Sequence, residues 1–159
     1  MFHASADQRV LGYLGRALSL ELSAVQLYST QARLVGAWGL AEPAERLKAE
    51  AQEELGHADR IIGRMLSLQV APNASQLLPA RLGNSLHELL QHDLAFEHEL
   101  IGLYDEAARY CANQGDHDSR LFFEALLSEE RTHAEELRHW IGTLEQPGAT
   151  RHTTRGATF

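Results

Sequence analysis

The chain has 159 residues, enough for one domain with a sizeable core. Fourteen basic and twenty-two acidic side chains leave a formal charge of −8, which argues against nucleic acid as a partner and favours small cations. One cysteine, Cys111, excludes an internal disulfide framework and fits a reducing cytoplasm, and no segment reads as a leader or a membrane span.

Apolar residues recur at helical spacing from the first turns onward. Leu11, Leu14, Leu18, Val25, Tyr28, Ala32 and Val35 form the first seam, and Glu21 interrupts it. A second helix is predicted to start at Pro43, with Leu47, Ala51, Ala58, Ile61, Met65 and Leu68 facing inward around Glu54. The third follows a capping pattern at Ser85 and Glu88, and its seam runs Leu86, Leu90, Asp93, Glu97, Leu100, Tyr104, Cys111. The fourth, after Gly115 to Asp118, reads Phe123, Leu126, Glu130, His133, Leu137, Trp140, Leu144. The fold class is therefore all-α, a four-helix bundle. Short links at Gly36 to Glu42 and Gly115 to Asp118 predict two antiparallel hairpins.

The middle link, Val70 to Asn84, contains Pro72, Pro79 and Gly83. At ~3.3 Å per residue it reaches ~50 Å, against ~42 Å for a helix of about 28 residues, so it can cross the whole bundle. Residues 1–145 are expected to form the bundle. Gln146 to Phe159 is polar and aperiodic and is expected to be a loose tail.

A carboxylate on a buried seam costs several kcal/mol unless a partner neutralises it. Four occur, one per helix: Glu21, Glu54, Glu97 and Glu130. His57 and His133 follow two of them by three residues, which puts each Glu-x-x-His on one helix face. The second half echoes the first at an offset of 76, linking Glu21 to Glu97, Tyr28 to Tyr104, Glu54 to Glu130 and His57 to His133. A single seam glutamate is more often an edge residue paired with Arg or Lys. Six such residues in register, with few basic neighbours, point instead to a metal pair. This is the pattern of the di-iron carboxylate proteins. The formal charge of four carboxylates also cancels that of two divalent cations.

Glu136 and His139 repeat the spacing, but Glu136 is rotated ~120° off the site face and is left out. Tyr28 and Tyr104 read first as core residues with one hydrogen bond each, and second as redox or ligand-orienting groups. Asp93 either orients a histidine or belongs to a local polar network. Glu53, His92 and His98 read as solvated or interface residues.

The stretches Glu21 to Tyr28, Trp38 to Leu40, Glu54 to Arg60, Asp93 to Glu97 and Glu130 to His133 resemble the bacterioferritins. The resemblance covers about residues 8–145 and implies a ferritin-like bundle carrying a ferroxidase centre. It implies two iron ions per subunit, held by Glu21, Glu54, His57, Glu97, Glu130 and His133. Glu54 and Glu130 would bridge, Glu21 and Glu97 would be terminal, and each histidine would serve one iron. Fe²⁺ would be the substrate and O₂ or H₂O₂ the oxidant.

Haem-binding members carry a methionine directly after the first bridging glutamate. Here that position is Leu55, and Met65 lies ~15 Å further along the helix, so haem is not expected. The family's short fifth helix is not legible in Gln146 to Phe159. A homo- or hetero-oligomer built through a twofold dimer is expected. The competing readings are a non-haem partner subunit of a mixed bacterioferritin, a rubrerythrin-like peroxide scavenger, and a metal-free helical interaction module.

Overall fold

A computed structural model describes residues 6–72 and 76–149. It contains four long helices: α1 (Gln8–Ala37), α2 (Ala41–Ser67), α3 (Leu86–Gln114) and α4 (His117–Glu145). No strand occurs among the described residues, and no helix there is long and apolar enough to cross a membrane.

The helix ends follow from local chemistry. Asp7 accepts from the backbone of Arg9 and Val10, Ser85 from Glu88, and Asp116 from Ser119, each satisfying donors that a first turn leaves free. Glu88 reaches back to the amide of Asn84, one residue upstream of the cap itself. Gly39 and Gly115 take positive φ, and the amides after them bond five residues back, Leu40 to Val35 and Asp116 to Cys111. These closures cap helix C-termini, and glycine accepts the left-handed backbone without strain. The two glycines stand at the same 76-residue offset as the seam glutamates.

Both short links are tighter than predicted. α2 begins at Ala41, two residues before Pro43, because the amide of Ala44 already bonds Leu40. Pro43 sits inside the first turn, where its missing donor costs nothing. The first link is thus Trp38–Leu40, and the second is Gly115 and Asp116.

All neighbouring helices run antiparallel. α1 packs on α2 and α3 on α4, while Tyr13 of α1 bonds Glu106 near the end of α3 and Arg64 of α2 bonds Ser119 near the start of α4. The chain therefore has to travel the length of the bundle between α2 and α3. Leu78 donates to Ser23, and Gln31 reaches the Arg81 carbonyl, so the link climbs along α1 as it crosses.

The seams of α2, α3 and α4 are buried as predicted, except that Leu68 and Leu144 are half-buried at the ends. That of α1 is shifted. Leu11, Val25 and Ala32 are half-buried, whereas Val10, Ala17, Ala24 and Gln31 face inward. The small side chains of Ala17 and Ala24 suit the inward face beside Glu21. Apolar clusters fill both ends, one around Leu14, Leu18, Ile61 and Phe123, the other around Val35, Leu47, Leu90 and Leu137. The polar site lies between them.

After α4, Gln146 is extended and Ala149 bonds back to it. The rest of the expected tail, residues 150–159, lies outside the described residues.

Candidate metal centre

Glu21, Glu54, Glu97 and Glu130 are fully buried, and His57 and His133 are only 5% and 6% exposed. Donor atoms of Glu21, Glu54, His57 and Glu130 lie within 4.8 Å of one another, and so do those of Glu54, Glu97, Glu130 and His133. The two sets share Glu54 and Glu130. All six sequence-predicted residues are thus brought together, from all four helices, as two overlapping groups.

The imidazoles stack with centroids 5.6 Å apart, and both turn Nδ1 inward. His57 Nδ1 is 2.8 Å from Glu130 and 3.0 Å from Glu54. His133 Nδ1 is 3.2 Å from each of the same two carboxylates, without the alignment of a hydrogen bond. Oxygens of Glu21, Glu54, Glu97 and Glu130 also lack a hydrogen-bond donor. Buried polar atoms are ordinarily paired, so a convergent set of hard oxygen donors and imidazole nitrogen without partners fits divalent iron well.

The tyrosines complete the symmetry. Tyr28 of α1 donates to Glu97 of α3, and Tyr104 of α3 donates to Glu21 of α1. Both are fully buried. Each holds the outlying carboxylate contributed by the other hairpin and leaves one oxygen of it free to face inward.

Electrostatics divides the six into three kinds. Burial pushes Glu21 and Glu97 well above the usual carboxylate range, and the neighbouring glutamates push the same way. Burial works to raise Glu54 and Glu130 as well, but the close approach of the His133 and His57 imidazoles outweighs it, lowering both, Glu130 to about 2. Burial opposes charge on the imidazoles, yet the surrounding carboxylates overcome it, raising His133 to about 12 and His57 further. In the protein alone, the shifts favour charged imidazoles beside charged Glu54 and Glu130 and push Glu21 and Glu97 toward the neutral form. Protons thus perform the neutralisation that two cations can perform.

Several residues near the site escaped the sequence reading. Glu53, read as solvated, is exposed but receives the outer nitrogen of His133 at 2.9 Å. Glu129 receives that of His57 at 2.8 Å and is paired with Arg60. The 76-residue echo linking Glu53 to Glu129 was available as a signal. Glu50 lies beside Glu53 and His133, and burial carries its carboxyl to about 7. Asp93 is fully buried, and neither of its carboxylate oxygens has a hydrogen-bond partner among the described residues, so it is not seen to hold either histidine. Glu136 and His139 are exposed and belong to none of the convergent donor groups among the described residues. Leu55 is 47% exposed, and Met65 is buried in the core, where it cannot replace a surface thioether.

Comparison with known proteins agrees with this architecture. Residues 11–146 match the ferritin-like domain family. A bacterioferritin of Rhodobacter capsulatus is 42% identical over 142 residues, covering 89% of this chain and 88% of its own length. A bacterial ferritin of Synechocystis is 36% identical, covering 87% and 90%. A solved structure of the Rhodobacter capsulatus bacterioferritin, described as having a metal-free dinuclear site and a haem iron on a crystallographic special position, superposes with a TM-score of 0.88. It has 40% identity over 93% of this chain and 92% of the other. The chain belongs to the ferritin-like family and, within it, to the bacterioferritins.

Proposed function

We propose that the chain is a ferroxidase subunit of an iron store, binding two Fe²⁺ ions and oxidising them together. Glu54 and Glu130 would be shared by the pair, Glu21 and Glu97 would each hold one ion, and His57 and His133 would each add one nitrogen. The observation that carries this reading is the pair of overlapping four-residue sets that share Glu54 and Glu130.

The arrangement suits a two-electron step. Two Fe²⁺ give up two electrons, which is what H₂O₂ needs, with two protons, to become two waters, or O₂ to become H₂O₂. Neutral Glu21 and Glu97 and protonated His57 and His133 lose their protons as cations enter, so the charge of the buried pocket changes little. The tyrosine hydrogen bonds keep the outlying carboxylates aimed inward while their ligation changes. Apolar clusters on either side limit access of bulk water.

The subunit is proposed to work in the cytoplasm, as an oligomer assembled through a twofold dimer. Residues 1–145 form its working unit, and 146–159 an appendage. Leu55 offers no lone pair at the position where the family resemblance places a haem ligand. A haem-free role is therefore proposed, either alone or beside a haem-carrying subunit, and exposed Leu55 favours keeping the second possibility. The test is an anaerobic Fe²⁺ titration followed by exposure to air or to stoichiometric H₂O₂. Two equivalents per chain and rapid oxidation are expected. Binding without a break at two, or no accelerated oxidation, would overturn the reading.

A further inference from the structure

Outside the six central residues lies a second set of contacts that is not symmetric. Glu129 Oε2 of α4 is 2.8 Å from His57 Nε2, and the same oxygen is 2.6 Å from Arg60 Nη1. On the other side Glu53 Oε2 of α2 is 2.9 Å from His133 Nε2. Glu53 and Glu129 stand at the 76-residue offset, so each hairpin supplies the carboxylate that holds the other hairpin's histidine. The position matching Arg60 at that offset is Glu136. No cationic side chain other than His133 is found beside Glu53 among the described residues, and the acidic Glu50 lies close to it.

We propose that Arg60 and Glu129 form a positioning pair for His57, which makes the metal position served by His57 the tighter of the two. This rests on the two-metal reading above. A carboxylate accepting from Nε2–H fixes the imidazole as the tautomer whose Nδ1 can donate to a metal, and it fixes the ring's rotation. Glu129 is itself 44% exposed at its side chain and would sample several rotamers unless something held it; the Arg60 guanidinium does so through the shared oxygen.

Glu53 has a side chain 60% exposed and no such clamp, so the support it gives His133 is looser. The additional acid on that side attracts cations to the His133 position. Exposed charges are screened, however, and are worth less than the roughly 10–100-fold effect typical of a lost outer-shell partner.

The experiment is an anaerobic Co²⁺ titration of the assembled protein, read by d–d absorption and calorimetry, for wild type, Glu129→Gln, Arg60→Ala, Glu53→Gln and Glu136→Arg. Wild type is expected to bind two equivalents in two resolved steps. Glu129→Gln should weaken the tighter step about 10–100-fold and leave the other within about threefold, with the cobalt band of the first step shifted. Arg60→Ala should act on the same step less strongly, Glu53→Gln on the weaker step, and Glu136→Arg should bring the weaker step toward the tighter one. All four positions are surface residues, and helix content and melting temperature measured alongside separate folding from positioning. Equal weakening of both steps by Glu129→Gln, or two equivalents bound in one unresolved step, would overturn the positioning role while leaving the two-metal reading intact. Fewer than two equivalents in wild type would overturn both.

Discussion

The hairpin of α1 and α2 and the hairpin of α3 and α4 agree inside the site and differ around it. Glu21 and Glu97, the Glu-x-x-His pairs, the tyrosines and the capping glycines all coincide at an offset of 76. Around the site, beyond the matched Glu53 and Glu129, the correspondence fails: Gln31 corresponds to Ala107, Asp93 to Ala17, Glu50 to Leu126 and Arg60 to Glu136. On the proposed two-metal reading, positions that face the shared pocket are bound by a common requirement, to present oxygen or nitrogen to a pair of cations. Positions that merely flank it are free to become apolar on one side and polar on the other. Symmetry in this molecule is thus a property of the chemistry at the centre.

The hardest blow to that central symmetry is removal of a shared carboxylate. Glu130→Ala takes a ligand from both four-residue sets and leaves His57 and His133 without one of their two nearest inward partners. Iron oxidation should fall by at least about 100-fold, since even outer-shell losses reach that scale. Stopped-flow oxidation and bound iron per chain measure it, and a modest change in both would remove Glu130 from the centre.

Proton release comes next. His57 and His133 hold their protons above pH 7, because raised pKa values keep the charged form, and burial shifts Glu21 and Glu97 toward the protonated form. Metal has to displace those protons, so anaerobic Fe²⁺ loading at pH 7 should release about two to four per chain, and affinity should climb with pH. Weakly buffered titration with an indicator dye reads the number directly. Release near zero would mean that the imidazoles and acids are not the groups displaced.

Tyr28→Phe and Tyr104→Phe probe whether the two halves are equivalent in use as well as in form. Each removes one donor from a buried carboxyl, and each should weaken metal binding by about tenfold, in line with about 1–3 kcal/mol for such a loss. Very unequal effects would show that the halves differ in action even where they match in sequence. At the small end, Gly39→Ala and Gly115→Ala should each cost about 1 kcal/mol, or roughly 2–4 °C of melting temperature. An added Cβ meets nothing within 4 Å at either glycine, so the cost is backbone alone and should be equal.

The sequence was most informative where a residue broke its own periodicity. A charged residue on an apolar seam stands out without coordinates, which is why Glu21, Glu54, Glu97, Glu130 and the two histidines were legible along with the four helices. The shifted face of α1 was less so, because alanine carries little hydrophobic signal and Ala17 and Ala24 were passed over for larger neighbours. Glu53 and Glu129 were missed for another reason. Each stands beside a seam glutamate and reaches solvent, and although the two share the 76-residue offset, it takes the packing of α2 against α4 to show that each meets the opposite histidine.

The long link pinned along α1 bears on the order of folding. Helical hairpins form quickly because their contacts are close in sequence, whereas the tyrosine bonds that close the site join residues 69 and 83 apart. The site therefore completes only when the two hairpins dock, after most helix has formed. Refolding followed by circular dichroism and by Co²⁺ absorption should show helix in a fast phase and cobalt uptake confined to a later one. Simultaneous phases would mean that docking and hairpin formation are a single event.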